Sequence, residues 1–159
     1  MHNVGVHVSA RADYAVRALV ELAAAGPHPL KRDRVAAAQD IPVRFLGNIL
    51  QELKTAGLVN THRGAEGGYW LALPADQITL ADVIRAVNGP LANVRGDAPE
   101  TVTYTGAAEP LKHVWIAVRA SLRSVLENVT LADVARNTLP SVVTELAKDR
   151  LAWQAHLRT

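Results

Sequence analysis

Residues 30–73 hold two short helical periods, a proline turn and a glycine-tipped hairpin in one unbroken run, and few small folds accommodate that order. Within residues 43–56, Leu46, Ile49, Leu50 and Leu53 recur at the three-and-four spacing of one buried helical stripe. Arg44, Asn48, Gln51 and Lys54 fall mainly on the opposite side, and such side chains reach phosphate oxygens and base edges in a major groove. A shorter helix is expected at about 32–39, burying Val35, with alanine at 36–38 to let a second helix come close. Asp40-Ile41-Pro42 forms the turn, with Pro42 suited to the first position of the next helix. Beyond Gly57, residues 59–63 and 69–73 read as strands around the tip Gly64-Ala65-Glu66-Gly67-Gly68. A helix–turn–helix followed by such a ribbon is the outline of a winged-helix DNA-binding domain.

Punctuation elsewhere supplies the remaining elements. Ser9 is placed to cap a helix over 10–25 whose buried side is Ala15, Ala18, Leu19, Leu22 and Ala23, stopped by Gly26-Pro27-His28-Pro29. Thr79 is placed to cap a helix over 80–87, with Asp82 in its first turn and Asn88-Gly89-Pro90 at its end. Residues 89–109, rich in Gly, Pro, Asp, Asn and Thr, read as a long loop, and loops of that length are often functional. The longest helical pattern spans 110–127, with Leu111, Val114, Trp115, Val118, Leu122, Val125 and Leu126 as its stripe.

That stripe is wider than a helix on a small winged domain needs. Part of it, Leu111, Val114, Trp115, Val118, Leu122 and Val125, is expected to form a dimer seam; the alternative is an intrachain core helix. Thr130-Leu131-Ala132-Asp133 opens a further short helix, Ser141 is expected to cap a last one reaching about residue 153, and no internal repeat is apparent. The expected architecture is mainly α. A winged helix-turn-helix unit over 9–88 with a two-stranded wing is followed by a candidate sensing loop over 89–109. A long dimerisation helix and short terminal helices occupy 110–159.

Composition narrows the function. Apolar residues make up 49% of the 159-residue chain, enough for a core and against global disorder. With no cysteine, disulfides, thiolate catalysis and cysteine-ligated metal are excluded. Neither a membrane-spanning apolar run nor a secretory leader is evident, which points to the cytoplasm and to no membrane partner. The formal charge is only +2, with eight bases against six acids up to Leu73 and nine of each beyond it. DNA affinity would therefore come from placement of charge rather than from bulk field. No triad spacing, paired catalytic carboxylates or Walker motif marks an enzyme.

Several blocks resemble the Rrf-two (BadM/Rrf) family of transcriptional regulators. Ser9-Ala10-Arg11-Ala12-Asp13-Tyr14-Ala15-Val16-Arg17-Ala18-Leu19 is similar to their opening helix. Ile41-Pro42, Phe45-Leu46, Ile49-Leu50, Leu53 and Gly57-Leu58-Val59 are similar to their recognition helix. Arg63-Gly64-Ala65-Glu66-Gly67-Gly68-Tyr69 resembles their wing, and the segments Ile78-Thr79-Leu80-Ala81-Asp82-Val83-Ile84 and Thr130-Leu131-Ala132-Asp133-Val134 continue the likeness. The resemblance implies a homodimer binding a dyad-symmetric operator. Many relatives carry an iron–sulfur cluster on three cysteines in the loop before the long helix, and some add a carboxylate at the position of Asp13. Here the loop has no cysteine, so the resemblance implies no cluster and leaves the small-molecule effector, if there is one, unidentified.

The expected DNA-contacting set follows from the two readings together. Arg44, Asn48 and Gln51 are placed to read bases and Lys54 to meet phosphate, with Val43 and Phe45 beside them; Gly47 would let backbone and DNA approach closely. His62, Arg63, Gly64, Gly67, Gly68 and Tyr69 form the wing set, for the minor groove or the backbone. Arg11 and Arg17 on the first helix and Arg34 on the second are candidate flanking phosphate contacts, although Asp13 and Glu21 stand at i,i+4 spacing from Arg17. Glu109 and His113 share that spacing, a metal-ligand geometry without a third ligand. Trp115 and Trp153 suit a core, a dimer seam or an effector pocket. The leading expectation is a dimeric DNA-binding repressor; the alternative is a winged-helix module that binds protein instead.

Overall fold

In the computed structural model, which describes residues 7–155, the chain runs α1 (Ala10–Ala25), α2 (Arg32–Gln39), α3 (Val43–Thr55), β1 (Val59–His62), β2 (Gly68–Leu71), α4 (Leu80–Asn88), α5 (Leu111–Leu126), α6 (Leu131–Ala135) and α7 (Ser141–Leu146). Single 3-10 turns lie at Ala75–Gln77, Gly106–Ala108 and Arg150–Trp153. The architecture is mainly α with one antiparallel ribbon, as the hydrophobic periods predict.

The first helix starts where Ser9 Oγ accepts the Ala12 N–H at 3.1 Å, and it buries Ala12, Ala15, Ala18, Leu19 and Leu22. Three alanines on that face keep the backbone close to its neighbours, so α1 packs against α2, α3, α4, α6 and β2. Leu46, Leu50 and Leu53 of α3 are fully buried and Ile49 nearly so, as the stripe requires. Each such leucine is worth about 1.5–3 kcal/mol of burial. Asp40 takes a left-handed conformation (φ 51°) to end α2, and Pro42 stands just before α3 rather than within it.

The ribbon pairs Val59 with Leu71 and His62 with Gly68. It has a third member that carries no sequence pattern: Leu30 exchanges both backbone hydrogen bonds with Tyr69, at 3.0 and 2.8 Å. This tie explains the wing glycines. A Cβ on Gly68 (φ +146°) would sit 2.6 Å from the Leu30 oxygen, and one on Gly67 2.0 Å from the His62 oxygen. Both glycines are buried and are required by close backbone approach. Tyr69 is half-buried against the core.

The expectation of no internal repeat fails. Thr-Leu-Ala-Asp-Val occurs at 79–83 and again at 130–134, and both copies form full capping boxes. Thr79 and Thr130 pair across an antiparallel bridge, with the Leu80 N–H donating to the Val129 oxygen and the Leu131 N–H to the Ile78 oxygen, each at 2.9 Å. Leu131 is thereby fully buried in the core built by α1 and α3. The region after residue 110 is thus not one separate unit, because α6 returns to the winged core.

Two C-terminal expectations are also corrected. Ser141 is the first residue of α7 and not its cap; Pro140 precedes it and offers no side-chain acceptor. The helix stops at Leu146, and Asp149 caps the separate turn Arg150–Trp153. Substituting Gly68→Ala should destabilise the domain by about 1–3 kcal/mol, because backbone rather than a flexible side chain opposes the added carbon. Urea unfolding of the purified variant measures this, and an unchanged midpoint would refute the tie to Leu30.

Candidate nucleic-acid interface

The exposed side of α3 offers Arg44, Asn48, Gln51 and Lys54, all solvent-facing. None of the cations Arg34, Arg44, Lys54 and Arg63 has an ion-pair or hydrogen-bond partner among the described residues. Val43 and Phe45 in the first turn of α3 are exposed as well, at 40% and 60%. Pro42 provides no side-chain cap and the first turn carries no acid, so the positive end of the helix dipole stays open.

The wing lies beside this face. Lys31, at the start of α2, donates to the Gly64 carbonyl at the wing tip. Its neighbour Arg32 lies over α3, where a Cβ on Gly47 would meet the Arg32 Nη1 at 3.1 Å. The contacts run from wing tip to Lys31 and from Arg32 to Gly47, so the wing tip and the middle of α3 both abut the start of α2. Gly47 therefore leaves room for the end of the Arg32 side chain. Arg32 was not among the residues expected at this face; a glycine facing the start of the preceding helix was the available clue to its place. Its nearest carboxylate is Asp33 at 3.8 Å, on exposed side chains, a pair worth about 0–1 kcal/mol.

Arg11 and Arg17 are engaged within the chain. Arg11 pairs with Glu52 of α3 and donates from Nε to the Val87 oxygen at 3.2 Å. It neutralises the one acid of α3 and joins three helices. Arg17 lies 2.9 Å from Asp13, close but not aligned for a hydrogen bond, donates to the Gln39 carbonyl and rests over the Tyr14 ring. Glu21, the other candidate partner, instead accepts from Gln39. The two α1 arginines thus hold α1 to α3, α4 and the end of α2, whereas Arg34, Arg44, Lys54 and Arg63 are left uncommitted. His62 is exposed on the wing strand next to Arg63.

On the far side, α5 has no fully buried residue in its 16 positions. Leu111 and Val114 are exposed, while Trp115, Val118, Leu122 and Val125 are half-buried. The loop before it is ordered by protein contacts. Pro99 and Val102 are buried, Trp115 Nε1 donates to the Tyr104 hydroxyl at 2.8 Å, and Arg119 pairs with Glu100 at 2.6 Å. A bond from its own backbone N–H, then the Arg119 guanidinium, holds the Glu100 carboxyl below its ordinary pKa. Its charged form thus favours the fold at neutral pH, and that contribution fades as acid protonates it.

Residues 8–137 match the Rrf2 family, described as an iron-dependent transcriptional regulator. Rv1287 of Mycobacterium tuberculosis, classed by name among HTH-type transcriptional regulators, is 51% identical over 94% of both chains. The HTH-type transcriptional regulator CymR of Bacillus subtilis is 33% identical over 82% of this chain and 91% of its own. The solved structure of CymR, titled the global cysteine regulator of that organism, superposes with a TM-score of 0.69 over 83% of this chain and 98% of that one. IscR from T. potens gives 0.66 over 96% and 95%, at 29% identity.

Iron does not fit the residues present. The chain holds no thiolate, Asp13 faces Arg17, Glu100 faces Arg119, and among the described residues no three His, Asp or Glu side chains converge. No described helix is long and apolar enough to cross a membrane. Arg17→Ala should lower the melting temperature by a few degrees yet leave the salt dependence of DNA binding unchanged, since its charge is already used inside the fold. A fall in the slope of log affinity against log salt by about one would restore Arg17 to the phosphate contacts.

Proposed function

This chain belongs to the Rrf2 family of transcriptional regulators, and we propose that it acts as a homodimeric repressor that reads a dyad-symmetric operator without an iron–sulfur cluster. The observation that carries the proposal is the exposed face of α3. Arg44, Asn48 and Gln51 point to solvent with no intrachain partner among the described residues, beside a wing that carries Arg63. Each α3 enters one major groove, and each wing lies along the adjoining backbone or minor groove. Arginine and asparagine suit guanine and adenine edges, respectively, while Lys54, Arg34 and Arg63 supply sequence-independent attraction.

The dimer half of the proposal rests on α5. An apolar helix that leaves Leu111 and Val114 in water gains by meeting its copy, and Leu146, Leu151 and Trp153 add exposed apolar area nearby in sequence. A dimer sets the two readers about one helical turn apart, or a modest multiple of it. Repression follows from occupancy, since a protein seated in two grooves of a promoter excludes other proteins from them. A signal acting at the 89–109 loop or the seam could alter reader spacing, and a coupling of about 1–3 kcal/mol is enough for control. Such a protein works where the chromosome is, in the cytoplasm.

Selection from random duplex DNA should return a two-fold consensus. On that sequence Arg44→Ala or Asn48→Ala should each cost about 1–3 kcal/mol, while Arg63→Ala should weaken all sequences alike and lower the salt slope by about one. Equal losses on selected and random DNA for all three variants would argue against base reading by α3. In a second measurement, Val114→Glu should raise the dimer dissociation constant by about 10-fold or more in sedimentation equilibrium, equivalent to 1.4 kcal/mol. A dimer of undiminished stability would move the seam off α5.

A further inference from the structure

The chain has a single phenylalanine, and it is not in the core. Phe45 lies one position from the buried Leu46 yet is 60% exposed, on the flank of α3 next to Asn48 and Glu52. Its neighbours on the exposed side include the hydrogen-bonding side chains Arg44 and Asn48, with Val43 as the other exposed apolar residue of that turn. A ring exposed amid a polar reading face carries apolar area whose burial against an apolar group of a partner would favour binding.

We propose that Phe45 is a specificity residue that selects thymine at one position of each half-site by packing on the C5-methyl group. The inference rests on the reading of α3 as the groove-entering helix. Of the groups displayed in a major groove, the thymine methyl is the apolar one; the rest are donors and acceptors. A phenyl ring laid on a guanine, adenine or cytosine edge would strip water from N7, O6 or amino groups without replacing their hydrogen bonds. Laid on a methyl it removes apolar surface from both partners. Position supports the same occupant: Phe45 is in the first turn of α3, the end of a recognition helix that reaches base edges. The Arg11–Glu52 pair fixes the adjoining flank of α3 against α1, so the ring is presented by a held surface.

The test uses the consensus returned by the random-DNA selection. Each thymine of one half-site is replaced in turn by deoxyuridine, which deletes the methyl and preserves base pairing. Binding is followed by fluorescence anisotropy at fixed salt. One thymine should show a 3- to 5-fold loss, about the worth of a single buried methyl. Phe45→Ala should bind the unmodified site more weakly by a similar factor and become indifferent to deoxyuridine at that position, whereas Phe45→Leu should retain part of the discrimination. Circular dichroism checks that both variants fold, as expected for an exposed position. Specific binding with no methyl dependence, or with methyl dependence that persists in Phe45→Ala, would overturn the assignment and leave the DNA-reading role of α3 standing. Failure of the selection to return any sequence would overturn both.

Discussion

The alanine face of α1 is the constraint on which the molecule depends. Ala12, Ala15 and Ala18 are fully or almost fully buried, and they bring five other elements against one helix. Larger side chains there would push α4 and α6 outward and separate Leu131 from Leu19 and Leu22 in the shared core. The polar rim of the same helix then sets angles. Arg11 ties α1 to α3 and to the end of α4, while Arg17 ties it to the last residue of α2. The orientation of α3 relative to its support is thus determined by buried alanines on one side and committed arginines on the other. A reading helix must be held in this way, since a small tilt carries its side chains away from the bases.

The same division separates what was legible in the chain from what was not. Helix periods, proline and glycine stops, and threonine caps are local, and they place α1 to α4 and the ribbon within a residue or two of where they lie. The stripe of α3 and its polar side are legible for the same reason. Long-range partnerships are not. Nothing near Leu30 announces a backbone bridge to Tyr69, and Arg11 carries no local sign that Glu52 and Val87 will claim it. Arg17 had a local partner in view, Asp13 at i,i+4, and the structure uses it. The doubled Thr-Leu-Ala-Asp-Val block was visible as text, but its meaning, two capped helix starts set antiparallel, appears only once α6 is seen to fold back on α4.

The wing shows how a short motif acquires its residues. Its glycines look like a flexible tip suited to a groove, yet Gly67 and Gly68 are fixed by the nearness of the His62 and Leu30 backbones. Only Gly64 (φ +110°), with open space around it, belongs to the turn itself, and its carbonyl is taken by Lys31. A ribbon anchored at its base by Leu30 and at its tip by Lys31 presents Arg63 from a defined place. The pattern Arg-Gly-x-x-Gly-Gly-Tyr is therefore mainly a packing requirement that ends in one useful cation.

The contacts between α5 and α3 give a regulatory signal a physical route. Glu127, just past α5, pairs with Arg85 of α4. Two residues on, the Val87 carbonyl accepts from Arg11, which pairs with Glu52 on α3. Asn88 at the end of α4 donates to Ser9 Oγ, the cap of α1, at 2.7 Å. The end of α5 thus meets α4 at Arg85, and the same last turn of α4 meets α3 by way of Val87 and Arg11. Contiguity of this kind is a route and becomes coupling only when the two ends favour the same alternative arrangement. The loop before α5 is closed by Trp115–Tyr104 and Arg119–Glu100, on residues of α5 itself. Whatever opens that loop must therefore move or release α5. Those two polar contacts thus couple the order of the loop to the placement of the long helix.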